Sequence, residues 1–280
     1  MDAPALSTST ELPPQPVCPL YGVDDRGNPL LIGSAVLLQI ADAHFLLTAA
    51  HVLDTNARST LYYGVGGPLQ VLEGVAHKSG LSDGTSRDED RNDVGFMELK
   101  PRIAAHLSHG HRFLNVCHLQ PNEAVRPSSI YELRGYPETR SKRNPTTKKV
   151  RPGPFSYLAS PAGTSRYAAL HVGPRSHLLL RFERKNSFNE TGQRFTAPLP
   201  HGMSGGGVWK RRLDSQGDDL LQTGWLVGIA MEYDAQENVI VATRISLFLE
   251  AIRARFPGLA NEIPKCHTLR VNVSVDRVAG

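Results

Sequence analysis

The stretch that decides the fold is His201-Gly202-Met203-Ser204-Gly205-Gly206-Gly207-Val208-Trp209. A serine sits inside a glycine run, and an apolar pair follows. Glycine on both sides of Ser204 lets the chain turn tightly and brings backbone N–H groups close to a reacting carbonyl. In such a turn the N–H groups of Gly202 and Ser204 are expected to face a developing oxyanion while the Ser204 hydroxyl attacks. A glycine-rich surface turn reads the same way in isolation. What separates the two is whether a base and a carboxylate stand elsewhere in the chain.

Both do. Thr48-Ala49-Ala50-His51-Val52-Leu53 follows an apolar run, and Asn92-Asp93-Val94-Gly95-Phe96-Met97-Glu98-Leu99 follows a charged loop. His51 has the pKa range of a general base. Of Asp88, Glu89, Asp90 and Asp93, only Asp93 leads directly into an apolar strand that would fix its position. These segments resemble those of the trypsin-like serine proteases, which have the chymotrypsin fold. Thr48 to His51 matches the family's T-A-A-H segment, and Asp93 to Met97 its D-I-A-L-L strand. Gly202 to Gly207 matches its G-D-S-G-G-P elbow with two departures, and the order His, Asp, Ser is also the family's.

The resemblance runs from Tyr21 to Phe256. It implies an all-β protein of two antiparallel six-stranded β-barrels closed by a C-terminal helix. It also implies a serine endopeptidase with His51, Asp93 and Ser204 as catalytic residues and an oxyanion hole at Gly202 and Ser204. The substrate would be a protein or peptide, with neither cofactor nor metal. The family's pocket floor, where an acid selects Lys or Arg, falls at Pro198. Further substrate contacts are expected from His201, Ala230, Met231, Glu232, Tyr233 and Ile240. In that reading Ile240 fills the place of a pocket-wall glycine, Tyr233 crowds the entrance, and Glu232 is the one acid able to recruit a basic side chain. Met203 stands where secreted members carry the aspartate that receives a freed N-terminus, so that switch is not expected. Two alternatives remain open. One is a binding scaffold that keeps the fold without turnover; the other is a protease effector of a multi-protein signalling or defence system, docked through its extensions.

Composition sets the frame. At 280 residues the chain has ample length for one large all-β body or two lobes. No apolar run approaches the ~20 residues that cross a membrane, and no secretory signal is visible after Met1. Three widely spaced cysteines, Cys18, Cys117 and Cys266, suit a reducing compartment, so a cytoplasmic location is expected. The run 140–151, with six cations and no acid, more than accounts for the net charge of +4. That run has no interleaved aromatic for stacking on bases, so a solvated loop or a protein-docking patch is expected there rather than a nucleic-acid site. His106, His109, His111, Cys117 and His118 match no paired zinc spacing.

Four segments follow: a flexible arm over 1–20, a first lobe over 21–112 carrying His51 and Asp93, a second lobe over 113–256 carrying Ser204, and an extension over 257–280. Leu31–Ile40 and His44–Thr48 read as a hairpin. Leu247, Leu249, Ile252 and Phe256 recur at helical spacing before Pro257-Gly258. In the tail, Leu269, Val271, Val273 and Val275 alternate with polar residues, which predicts a strand packed on the body or added to a partner's sheet.

Overall fold

The computed structural model describes residues 15–65, 67–81, 85–143, 150–188, 193–212, 224–266 and 271–278. The first half begins with β1 (Val17–Val23), β2 (Pro29–Ile40) and β3 (Ala43–Ala49). A short helix, α1 (Ala50–Asp54), follows directly. Then come β4 (Tyr62–Tyr63), β5 (Gln70–Val71), β6 (Gly74–Ser79), β7 (Val94–Leu99) and helix α2 (Pro101–Leu107). The second half holds β8 (Tyr131–Gly135), the two-residue ribbon β9 (Lys142–Arg143) and β10 (Val150–Arg151), and β11 (Phe155–Ala159). Helix α3 (Ser165–Ala169) and β12 (His177–Arg181) come next, then the ribbon β13 (Ser187–Phe188) and β14 (Arg194–Phe195). The chain continues with β15 (Gly207–Arg211), β16 (Gly224–Asp234), β17 (Val239–Arg244), helix α4 (Ile245–Arg255) and β18 (Val273–Val278).

Two antiparallel sheets result. One has eight strands in the order β18-β6-β7-β3-β2-β1-β4-β5, the other six in the order β11-β8-β15-β16-β17-β12. Both curl. In the first, β5 at one edge runs into β6 near the other through Leu72 and Glu73 alone. Two residues reach only ~7 Å, so the two edges must lie close together. In the second, Ala162 N–H donates to Leu179 C=O at 2.7 Å and Arg181 N–H to Ser160 C=O at 3.0 Å, joining the end of β11 to β12. Linker residues Leu114 and Leu119 bridge to Leu38 and Leu226, tying one sheet to the other. Helix α4 buries Leu247, Phe248, Leu249 and Ile252 and stops at Phe256 before Pro257, where the spacing predicts its end.

Three expectations change. The first sheet has eight strands rather than six, and one of them is β18 from the tail, which adds to the outer edge of β6 in register from Val273↔Ser79 to Val278↔Gly74. The extension 257–280 is therefore partly built into the first lobe, and β18 takes the packed-on-the-body alternative. Residues 17–20, expected in the arm, belong to β1. Val17, Cys18 and Leu20 are at most 1% exposed and pair with β2; Pro16 and Pro19 break up that apolar run and hid it. Residues 1–14, and residues 144–149 of the basic run, lie outside the described residues. All three cysteines are free thiols, and burial pushes Cys18 up to about 12. No helix among the described residues is long and apolar enough to cross a membrane.

Candidate active site

Three side chains from three turns meet on one cleft. His51, Asp93 and Ser204 all line a cavity of about 440 Å³. His51 is the second residue of α1, at the end of β3. A helix start leaves N–H groups without intrahelical partners, and Ala49 has no side chain to cap them. Asp93 does it from another segment: its C=O accepts from Ala50 N–H at 2.9 Å and its Oδ1 from His51 N–H at 2.9 Å. The remaining oxygen, Oδ2, lies 2.6 Å from His51 Nδ1. The carboxylate thus fixes both the backbone and the ring of His51. Asp93 holds this position at φ +45°, a left-handed conformation that Asp tolerates better than most residues. Its side chain is 7% exposed, while that of His51 is 41% exposed.

The charge environment favours a basic imidazole. Burial alone would lower the His51 pKa. The Asp93 hydrogen bond, together with the charges of Asp93, Asp54 and Glu232, outweighs that and raises it above 6.5. Asp54, at the far end of α1, is held by Lys78 at 2.6 Å and Arg87 at 2.7 Å. Lys78 also pairs with Asp276 of β18, so the tail strand connects to this helix.

The Ser204 turn is built by fixing carbonyls. A trans peptide points its C=O and N–H in opposite directions. His201 C=O accepts from Glu138 N–H at 2.8 Å, and Met203 C=O from Gly206 N–H at 2.8 Å. The N–H groups of Gly202 and Ser204 are thereby turned the other way, and neither has an acceptor among the described residues. Met203 anchors the turn from within the apolar cluster of the second sheet, where it is 2% exposed. Gly202 and Gly205 sit at φ +85° and +83°, where only glycine is unstrained. A Cβ on Gly205 would also lie 1.9 Å from Ser34 O and 2.1 Å from Thr48 Oγ1. Gly205→Ala is therefore expected to destabilise the protein by about 2–5 kcal/mol, from left-handed strain and overpacking together. Denaturant titration checks this, and an unchanged midpoint would contradict the close approach.

Ser34 and Thr48 support the turn; the sequence did not single out Ser34, and it marked Thr48 only as the first residue of the T-A-A-H segment. Ser34 N–H donates to Ser204 C=O at 2.8 Å, its hydroxyl to Gly202 C=O at 2.9 Å, and Tyr136 N–H donates to that hydroxyl at 2.9 Å. Thr48 Oγ1 donates to Ser34 C=O at 2.8 Å. A hydroxyl inside the apolar run Leu31–Ile40, in a fully buried position, is the one signal that could have marked Ser34.

Of the expected substrate contacts, His201, Met231, Glu232 and Tyr233 line the cleft with the three central residues. Pro198 does not border it. Ala230 and Ile240 are 3% and 2% exposed and face the core of the second sheet. Val241, on the opposite face of β17 from Ile240, lines the cleft instead. The sequence reading also missed Ile32, Arg87, Arg91, Val172 and Pro200, which complete the walls together with Asp88 and Asp90. Among the described residues no hydrogen bond joins the Ser204 hydroxyl to His51, and no group of side chains is gathered to hold a metal ion. No family model matches the chain, and no curated protein matches its sequence.

Proposed function

We propose that the protein is a trypsin-like serine endopeptidase with two chymotrypsin-style lobes. One observation carries the reading: a carboxylate-oriented histidine and a serine in a turn with two unpartnered N–H groups border the same cleft between two β-sheets. A hydroxyl is a weak nucleophile without a base in reach. His51 Nε2 takes the Ser204 proton as Oγ bonds to the scissile carbonyl carbon. The resulting oxyanion accepts from Gly202 and Ser204 N–H. His51 then returns the proton to the leaving amine as the C–N bond breaks, leaving an acyl-serine. Water, deprotonated by the same imidazole, releases the acid and restores Ser204. Asp93 keeps Nδ1 protonated and stabilises the imidazolium throughout. The missing Ser204–His51 hydrogen bond suits a free enzyme, where such contacts are often long and tighten with substrate.

Met203 lies in an apolar cluster and cannot accept an ammonium group, so this turn is set by packing and by Ser34 rather than by a buried ion pair. An uncharged fluorophosphonate probe tests the proposal. Labelling of the wild type, with its loss in His51→Ala, is expected. An unlabelled, folded wild type would favour the scaffold alternative.

A further inference from the structure

We infer that Glu232 selects a basic side chain, Lys or Arg, at a substrate position flanking the residue at the cleaved bond. The inference rests on the peptidase reading and names its substrate class: extended polypeptides carrying a cation close to the scissile bond.

Backbone geometry places Glu232 there. β16 pairs with β15 only as far as Ile229, and beyond that point β17 is its one partner in the sheet. A β-bulge falls between Ala230 and Glu232, so that Met231 is the extra residue and Glu232 stands opposite Val241. Bulges re-aim side chains, often beside active sites. Here the bulge sets Glu232, an exposed residue, opposite Val241, which lines the cleft with it. Tyr233, the next residue, stands opposite Ile240 and meets Phe182 edge-on at 5.1 Å. Neighbouring residues on a strand face opposite ways, so Glu232 shares the Val241 side of the strand while Tyr233 packs on the Ile240 side.

The charges favour a cation. The cleft is lined by four carboxylates, Asp88, Asp90, Asp93 and Glu232, against the guanidinium groups of Arg87 and Arg91. Asp90 is paired with Arg87 and Asp93 with His51. Asp88 and Glu232 make no ion pair among the described residues, Glu232 makes no hydrogen bond there either, and the Arg91 charge acts on Glu232 without closing a salt bridge. An exposed, unpaired carboxylate on the free edge of a strand beside the nucleophile is a ready partner for an ammonium or guanidinium group. Its field already reaches the reacting groups, since Glu232 is among the charges that raise the His51 pKa.

A peptide library with one residue fixed at the cleavage position, varied at each flanking position, reads this out. Wild type is expected to favour Lys or Arg over Gln at one flanking position by about fivefold in kcat/KM, the scale of a partly exposed charge pair. Glu232→Gln should erase that preference, Glu232→Asp should restore part of it, and Glu232→Lys should replace it with a preference for Asp or Glu. A purely structural role would not reverse the charge selected. If the wild type reacts with the fluorophosphonate yet shows no basic preference, or keeps it in Glu232→Gln, this inference fails and the peptidase reading stands. If the wild type does not react at all, the peptidase reading fails and this inference falls with it.

Discussion

Ser204→Ala is expected to lower peptide hydrolysis by about 10⁶-fold, the loss seen when the nucleophile of such a constellation is removed. The protein should remain folded. The substitution deletes one oxygen that makes no hydrogen bond among the described residues, at a half-buried position on the cleft. What holds the turn in place is backbone and neighbours. Ser204 C=O still accepts from Ser34 N–H, Gly205 N–H still donates to Ala230 C=O at 2.7 Å, and Met203 stays in its apolar pocket. The two free N–H groups also persist, so the variant should retain affinity for peptides it cannot cleave. Equal melting temperatures together with absent turnover and absent fluorophosphonate labelling would support the role. Turnover in the purified variant at even a hundredth of the wild-type rate would place the nucleophile elsewhere.

That His51, Asp93 and Ser204 belong together was legible through the resemblance of their three segments, each at the end of an apolar strand or inside a glycine turn. Local pattern reports where such ends fall, and β3 and β7 lie where the apolar runs predict them. Contacts made through space were not legible. Ser34 lies 168 residues from Gly202 in sequence, and no local rule announces their hydrogen bond. The cleft walls were misassigned at Ala230 and Ile240 for a different reason. One extra residue at the β16 bulge shifts which residues of β17 share a face with Glu232, and a bulge leaves no trace in an otherwise regular apolar run. β1 was hidden by its prolines. For β18 the alternation showed in the sequence. Its partner did not, because the β6 edge and the Lys78 link to Asp54 and Asp276 exist only once the first sheet has curled.

Asp93→Asn should lower kcat by about 10⁴-fold while leaving the fold intact. The geometry gives the reason. Asn enters the left-handed region as readily as Asp, so φ +45° is kept, and its carbonyl oxygen can go on accepting from His51 N–H as Oδ1 does at 2.9 Å. That choice turns the amide NH₂ toward His51 Nδ1, where Oδ2 now lies at 2.6 Å. A donor there forces Nδ1 to accept, and the ring proton moves to Nε2. The imidazole then faces Ser204 with an N–H and cannot take its proton. The titration of His51 should move as well. In the wild type its pKa is raised because the Asp93 contacts, with help from Asp54 and Glu232, outweigh burial. Replacing the carboxylate removes the largest of the raising effects and leaves burial in place, so the pKa falls. Activity needs the neutral base, so its rising limb against pH should shift to lower pH in the variant as the rate drops. Measured kcat/KM profiles of the two proteins decide the matter. A limb that stays where it was, or moves to higher pH, would mean that Asp93 does not govern His51.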